Sequence, residues 1–140
     1  YNNYKLSDKS LTYDNMTVDA FLKPDLTRFE LHRVWVIEGT LKSGADHIYS
    51  KRTMYVDEDS WYVALMDQYD TKGDLWRVKM LYLMQAYDAP GLYTSGEVQH
   101  DLNARKSVFS AFQNEEPPTE FNVPVRSGDF TPAALRKLMR

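Results

Sequence analysis

Residues 28–87 decide the fold. They read RFELHRVWVIEGTLK (28–42), SGAD (43–46), HIYSKRTMYV (47–56), DEDS (57–60), WYVALMDQY (61–69), DTKG (70–73) and DLWRVKMLYLMQAY (74–87). Long blocks rich in β-branched and aromatic residues alternate with short polar ones, the pattern of strands joined by turns. Strands are expected over 28–42, 47–56, 61–69 and 75–87. Links this short allow only hairpins, so the strands form an antiparallel meander in sequence order. Both parities of each strand are often apolar, so the sheet requires cover on both faces.

Pairing Lys42 with His47 sets Glu38 opposite Lys51 and Trp35 opposite Met54, which matches charge with charge and apolar with apolar. The acidic turn then brings Met54 opposite Val63 and Tyr55 opposite Tyr62. Asp70-Thr71-Lys72-Gly73 fits a type I turn followed by a left-handed glycine. Pairing Asp70 with Asp74 puts Asp67 opposite Arg77 and Tyr62 opposite Tyr82, and a slip of one residue there would exchange the faces of the next strand.

In this register one face carries Leu31, Trp35, Ile37, Met54, Val56, Trp61, Val63, Leu65, Leu81 and Leu83, an aliphatic core. The other carries Val34, Val36, Tyr55, Tyr62, Ala64, Met66, Trp76, Val78, Met80 and Tyr82. Flexible methionines and amphipathic aromatic rings suit an adaptable apolar pocket. Tyr55, Tyr62, Met66, Trp76, Met80 and Tyr82 are therefore the candidate ligand-lining residues. The alternative is that protein simply covers both faces.

Outward from this centre, residues 4–6 read as a strand, and 16–22 as a short strand or one helical turn that Pro24 ends. Asp88-Ala89-Pro90-Gly91 is a turn, and 92–102 with 106–112 form a more polar hairpin around Asn103-Ala104. Two prolines keep 114–118 out of a sheet interior, and 119–130 reads as extended surface chain. The last ten residues form a helix: Thr131 caps it, Pro132 takes the first position, Phe130 staples to Leu135, and Lys137 and Arg140 suit its C-terminal end. Leu135, Leu138 and Met139 are its docking stripe.

The 140 residues make one domain by size. A net charge of −3 with scattered basic residues excludes a phosphate-tracking surface, and the lack of cysteine excludes disulfides and thiolate chemistry. No apolar run is long enough for a membrane-spanning helix. Tyr1-Asn2-Asn3-Tyr4 reads as mid-domain sequence, so the chain is expected to be an excised or processed C-terminal portion of a larger protein. His32, His47 and His100 lack zinc-site spacing and read as structural. The Asp57-Glu58-Asp59-Ser60 turn is too short for a calcium loop and reads as solvated. Ser43-Gly44 and Ser95-Gly96 lack the elbow pattern of serine nucleophiles, and no phosphate loop occurs. No catalytic residue, metal or cofactor is expected, and a hydrolase reading has only the acidic turns behind it.

Several words in order carry a family resemblance. They are Leu31-His32-Arg33-Val34-Trp35-Val36, His47-Ile48-Tyr49-Ser50-Lys51-Arg52, Tyr55-Val56-Asp57-Glu58-Asp59-Ser60-Trp61, Tyr69-Asp70 with Gly73, Leu75-Trp76-Arg77, and Asp129-Phe130-Thr131-Pro132-Ala133-Ala134-Leu135. Together they resemble the C-terminal part of a bacterial family of unknown function, number thirteen-twenty-nine, whose members are often labelled outer-membrane lipoprotein-sorting proteins. The resemblance runs from Tyr1 to the final helix. It implies a mainly β fold, a curved antiparallel sheet forming an incomplete barrel like that of periplasmic lipoprotein carriers, with a short C-terminal helix. It also implies a periplasmic or outer-membrane-associated, non-catalytic binding or carrier domain for a lipid or lipoprotein acyl chain. The alternative is an interaction module that docks the rest of the parent or a second copy through a sheet face or edge. One departure is Ala89-Pro90-Gly91-Leu92-Tyr93, where that family would have a Pro-Trp-Tyr word.

Overall fold

A computed structural model describes residues 3–139, so the expectations on Tyr1, Asn2 and Arg140 lie outside the described residues. A small hairpin, β1 (Thr17–Val18) and β2 (Phe21–Leu22), precedes the main sheet. That sheet comprises β3 (Val34–Thr40), β4 (Lys51–Asp57), β5 (Val63–Tyr69), β6 (Leu75–Ala86), β7 (Gly91–Asp101) and β8 (Lys106–Ser110). Its strands pair antiparallel in sequence order and leave β3 and β8 as edges. One short helix, α1 (Pro132–Leu138), ends the chain, so the fold is mainly β with an open sheet.

The registers differ from the sequence reading in instructive ways. β3 begins at Val34 and β4 at Lys51, because residues 28–33 and 41–50 are irregular. Lys42 and Ala45 close a turn inside the longer loop, and Leu41 donates to Ser50 at 2.9 Å. Glu38 therefore faces Thr53 and Ile37 faces Met54, two residues from expectation. An even shift preserves the faces, and Lys51 still reaches Glu38 diagonally at 3.0 Å.

The acidic turn moves the next register by an odd number. Asp57 N–H donates to Tyr62 O at 2.9 Å, Trp61 takes a left-handed φ of 60°, and the ladder shifts between Tyr55 and Val56. Met54 consequently faces Met66, and Tyr55 faces Leu65 rather than Tyr62. Trp61 lies outside the strand and is exposed. At the following hairpin Asp70 does bond Asp74, at 2.9 Å, with Gly73 at φ 90°. An irregularity between Gln68 and Tyr69 then puts Gln68 opposite Arg77 and Leu65 opposite Met80, in place of the Asp67–Arg77 and Tyr62–Tyr82 pairs. The two odd shifts cancel at β6, so only β5 is inverted relative to expectation.

Cross-strand partners share a face, so the inner face contains the row Val36, Tyr55, Leu65, Met80, Val98 and Phe109. Over its β6–β8 end lies the N-terminal segment. Leu6, Met16 and Leu22 pack with Tyr82, Val98 and Phe112, flanked by Leu11, Leu26, Met80 and Phe109. Residues 4–7 are turns, not the expected strand. Asn3 N–H donates to Leu83 O at 3.1 Å, and Asn114 Nδ2 donates to Leu6 O at 2.7 Å, which pins this cover to the sheet. The Phe112 ring lies on Gly96, where a Cβ would come within 2.4 Å of it.

The outer face is polar across β6 and β7, with Arg77–Asp101 at 2.9 Å and Lys79–Glu97 at 2.8 Å. Toward the β3 edge it turns apolar, where Trp35 and Ile37 are exposed. In α1 the Thr131 hydroxyl accepts from Ala134 N–H at 3.2 Å, and Pro132 takes the first turn as expected. The stripe does not dock: Leu135, Leu138 and Met139 are exposed, as is Phe130. A helix of two turns rests on the turn Ser127–Phe130 that precedes it, which offers little apolar surface to bury.

Candidate functional site

Where the N-terminal cover stops, residues 28–32 cross the inner face as an irregular strap, and between strap and sheet lies a cavity of about 540 Å³. That size is in the usual range for small-ligand sites. Val34, Tyr55, Leu65, Met80 and Tyr82 come from inner-face positions of β3 to β6. Asp57 of β4, Leu81 and Leu83 of β6, Ala64 of β5, Asn3 of the cover, and Arg28 to His32 of the strap complete the described lining. A second, smaller cavity of about 400 Å³ lies between the N-terminal segment and residues 109–112.

The cavity has a polar end and an apolar interior. Val34 pairs with Asp57 at the ends of β3 and β4, whereas Tyr55, Leu65 and Met80 form a row further in. At the polar end the His32 imidazole lies between two carboxylates, with Nδ1 2.9 Å from Asp57 Oδ1 and Nε2 3.2 Å from Glu30 Oε2. The hydrogen bond from His32 holds the Glu30 carboxyl below its usual range. Arg28 pairs with Glu30 at 2.5 Å, and Arg33 with Glu58 at 2.6 Å.

Asp57 is only 3% exposed, so the acidic turn is not simply solvated. Its Oδ2 accepts from Ser60 N–H at 2.8 Å and from Ser60 Oγ at 2.6 Å, which builds the tight turn from the side chain of its first residue. Ligand atoms of His32, Asp57 and Asp59 lie within 4.8 Å of one another. Three donors fall well short of the six or more oxygens calcium takes, and the His32–Asp57 contact already engages two of them.

Of the six candidate lining residues, Tyr55, Met80 and Tyr82 line the cavity, and Tyr62, Met66 and Trp76 lie elsewhere. Tyr62 sits at the end of the acidic turn and its hydroxyl donates to Leu92 O at 3.2 Å. Met66 turns outward with the inverted β5, beside Gln68. Trp76 meets the Tyr49 ring edge-on and carries the Arg77 guanidinium 4.0 Å from its ring centroid. Leu65 replaces Met66 on the inner face because the registers on both sides of β5 are odd. The strap residues went unrecognised because their alternating pattern reads as strand. No local signal marks Asn3, which reaches the site from the far end of the chain.

Burial alone pushes the Tyr82 phenol up to about 12, and the Tyr55 phenol is raised by its 3.0 Å hydrogen bond to Asp67. His100 is buried, lies 2.6 Å from Ser107 Oγ and stacks at a tilt on Phe21, and burial lowers its pKa. Arg77 bonds both Asp101 and the Tyr49 hydroxyl, the latter at 2.8 Å. The polar groups that hydrolases and metalloenzymes use are thus engaged in turns, straps and cross-strand pairs.

An open antiparallel sheet, with a cavity between it and the strap, makes this a mainly β domain. The chain belongs to the family described as Protein of unknown function (DUF1329), which residues 1–136 match. It is 42% identical over 138 residues to Uncharacterized protein PA3922 of Pseudomonas aeruginosa, covering 98% of this chain and 30% of that protein. The chain thus spans under a third of the curated relative it matches. In fold it resembles a Vibrio parahaemolyticus structure named for an outer membrane lipoprotein-sorting protein domain, with a TM-score of 0.51, 18% identity, and 94% of this chain and 59% of that one covered. A DUF1329 family protein from Desulfovibrio piger aligns over 73% of this chain and 40% of its own, with a TM-score of 0.48 and 18% identity. No described helix is long and apolar enough to cross a membrane.

Proposed function

We propose that this chain is the lipid-holding part of a periplasmic or outer-membrane-associated carrier, and that the cavity takes an acyl chain, free or attached to a lipoprotein. The observation that carries this reading is the 540 Å³ cavity with Val34, Leu65, Met80, Leu81 and Leu83 in its wall. Space walled this way is favourable for hydrocarbon and offers water few partners. The name of the Vibrio relative points the same way, and localisation rests on that name. Mass spectrometry of the gently purified full-length parent should find a bound apolar molecule, and a neutral fluorescent probe should enter the cavity. Met80→Trp, which fills the space, should reduce probe uptake. A parent that carries no apolar ligand and takes up no probe would sink the proposal.

The open β3 edge favours a second reading. Trp35 and Val36, on opposite faces of that edge strand, are 56% and 61% exposed, which invites pairing with the rest of the parent or a second copy. Light scattering that finds a strict monomer of this chain, without binding of a surface-sensing dye, would remove it.

A further inference from the structure

We propose that the cavity selects a single-chain amphiphile whose head donates hydrogen bonds and bears no negative charge, an alcohol or an ammonium group. This rests on the lipid-holding reading and adds the chemistry of the head. The hydrocarbon tail lies along Tyr55, Leu65 and Met80, which leaves the head at the end where Val34 meets Asp57.

That end is acidic. Glu30 and Asp57 belong to the described lining, and exposed Asp59, outside it, has a carboxylate oxygen within 4.8 Å of ligand atoms of Asp57 and His32. The basic groups on the described lining are Arg28 and His32, and both are held by carboxylates: Arg28 by Glu30 at 2.5 Å, His32 by Glu30 and Asp57. Arg33 is 83% exposed and pairs with Glu58. A carboxylate or phosphate head arriving here would take Arg28 or His32 from its partner and sit against Asp57, a charge largely removed from water. Like charges are poorly screened in such a place. A hydroxyl or ammonium head needs no such exchange, because each carboxylate oxygen has more than one acceptor site and the new donor adds to the existing network.

The experiment uses the full-length parent loaded with the neutral probe N-phenyl-1-naphthylamine. It is displaced by monolauroylglycerol, dodecylamine, dodecanoate and dodecyl phosphate, matched in chain length and kept below their micelle concentrations. The glycerol ester and the amine should displace it at concentrations at least about tenfold below the two anions. Glu30→Gln, which removes one negative charge from the cavity wall, should shrink that gap to about threefold or less by improving displacement by the two anions. Anions that compete as well as the ester or better, or a gap that Glu30→Gln leaves unchanged, would overturn the inference while the lipid-holding reading stands. Failure of every amphiphile to displace the probe, or of the probe to bind, would overturn both.

Discussion

Replacing Leu6 by alanine should be among the most damaging single changes in the molecule, although the residue lies in a turn at the N-terminal edge of the domain. Its side chain is 0% exposed and packs with Val98, also 0% exposed, across the interface between the N-terminal cover and the sheet. Truncating a buried leucine removes its transfer free energy and leaves a void, about 2–5 kcal/mol together. Leu6 lies on irregular chain that can relax partway into the gap, so a value of about 3 kcal/mol is expected. For a domain near this size each kcal/mol moves Tm by roughly 2–4 °C, so Tm should fall by roughly 6–12 °C. Urea unfolding should show the midpoint falling with the m-value unchanged. The Leu6→Ala and Val98→Ala losses should be non-additive by at least about 0.5 kcal/mol, because the two side chains share one cluster. Leu138→Ala, at 83% exposure on the undocked helix, is the control and should cost under about 0.5 kcal/mol. A loss below about 1 kcal/mol for Leu6→Ala would mean that the cover is not part of the core, and the division of the inner face into a covered and an open half would fail with it.

Gly96→Ala should destabilise by about 1–3 kcal/mol through overpacking, since the new Cβ would meet the Phe112 ring; in a Phe112→Ala background the same change should cost almost nothing, as chemical denaturation of both pairs would show. Tyr55→Phe removes the hydrogen bond to Asp67 and should cost about 0.5–1 kcal/mol, discounted for partial exposure, while Asp67→Asn should recover none of it on its own. For His100 the sign follows from burial: its folded pKa lies below the ordinary 6.5, so under that pH the unfolded chain binds more protons and stability falls as pH drops. Thermal melts from pH 7 to about 5 should show this loss, and His100→Gln should flatten the slope whatever it does to the absolute Tm.

The hairpins were legible where a turn follows a common local pattern, an Asp whose carboxylate accepts from the following N–H groups and a glycine at positive φ. Asp70 to Gly73 is the plain case: the glycine takes its positive φ and Asp70 bonds Asp74 as the residues imply. The acidic turn was not, because it combines a buried carboxylate with a left-handed tryptophan. Asp57 is buried and binds Ser60, and Trp61 adopts a conformation unfavourable for a bulky residue, which no propensity argument anticipates. That single turn inverted β5, exchanged Leu65 for Met66 on the inner face and sent Tyr62 to Leu92. β6 kept its assigned face only because a second odd shift at Gln68 cancelled the first. The strap was hidden differently. Phe29, Leu31 and Val34 alternate like the strand that follows them, and tertiary partners, Asn3 to Arg28 N–H and Asp57 to His32, hold residues 28–32 off the sheet ladder.

The two covers of the inner face are held by different physics, and this is why the cavity lies where it does. The N-terminal cover is secured by apolar burial and by hydrogen bonds, from Asn114 Nδ2 to Leu6 O and from Asn3 N–H to the Leu83 carbonyl of the sheet. Releasing it exposes several large side chains at once, so it opens only with the core. The strap buries almost nothing of its own: Phe29 is 72% exposed and Leu31 fully so. It is held instead by the pairs of Arg28 with Glu30, His32 with Glu30 and Asp57, and Arg33 with Glu58. Exposed pairs of this kind are worth about 0–1 kcal/mol each, and the costlier member is the one that reaches buried Asp57. The strap therefore belongs to the low-stability end of the molecule, where binding segments are drawn from. In the carrier proposed above, entry by way of the strap would break a few polar pairs and leave the hydrophobic half of the sheet undisturbed.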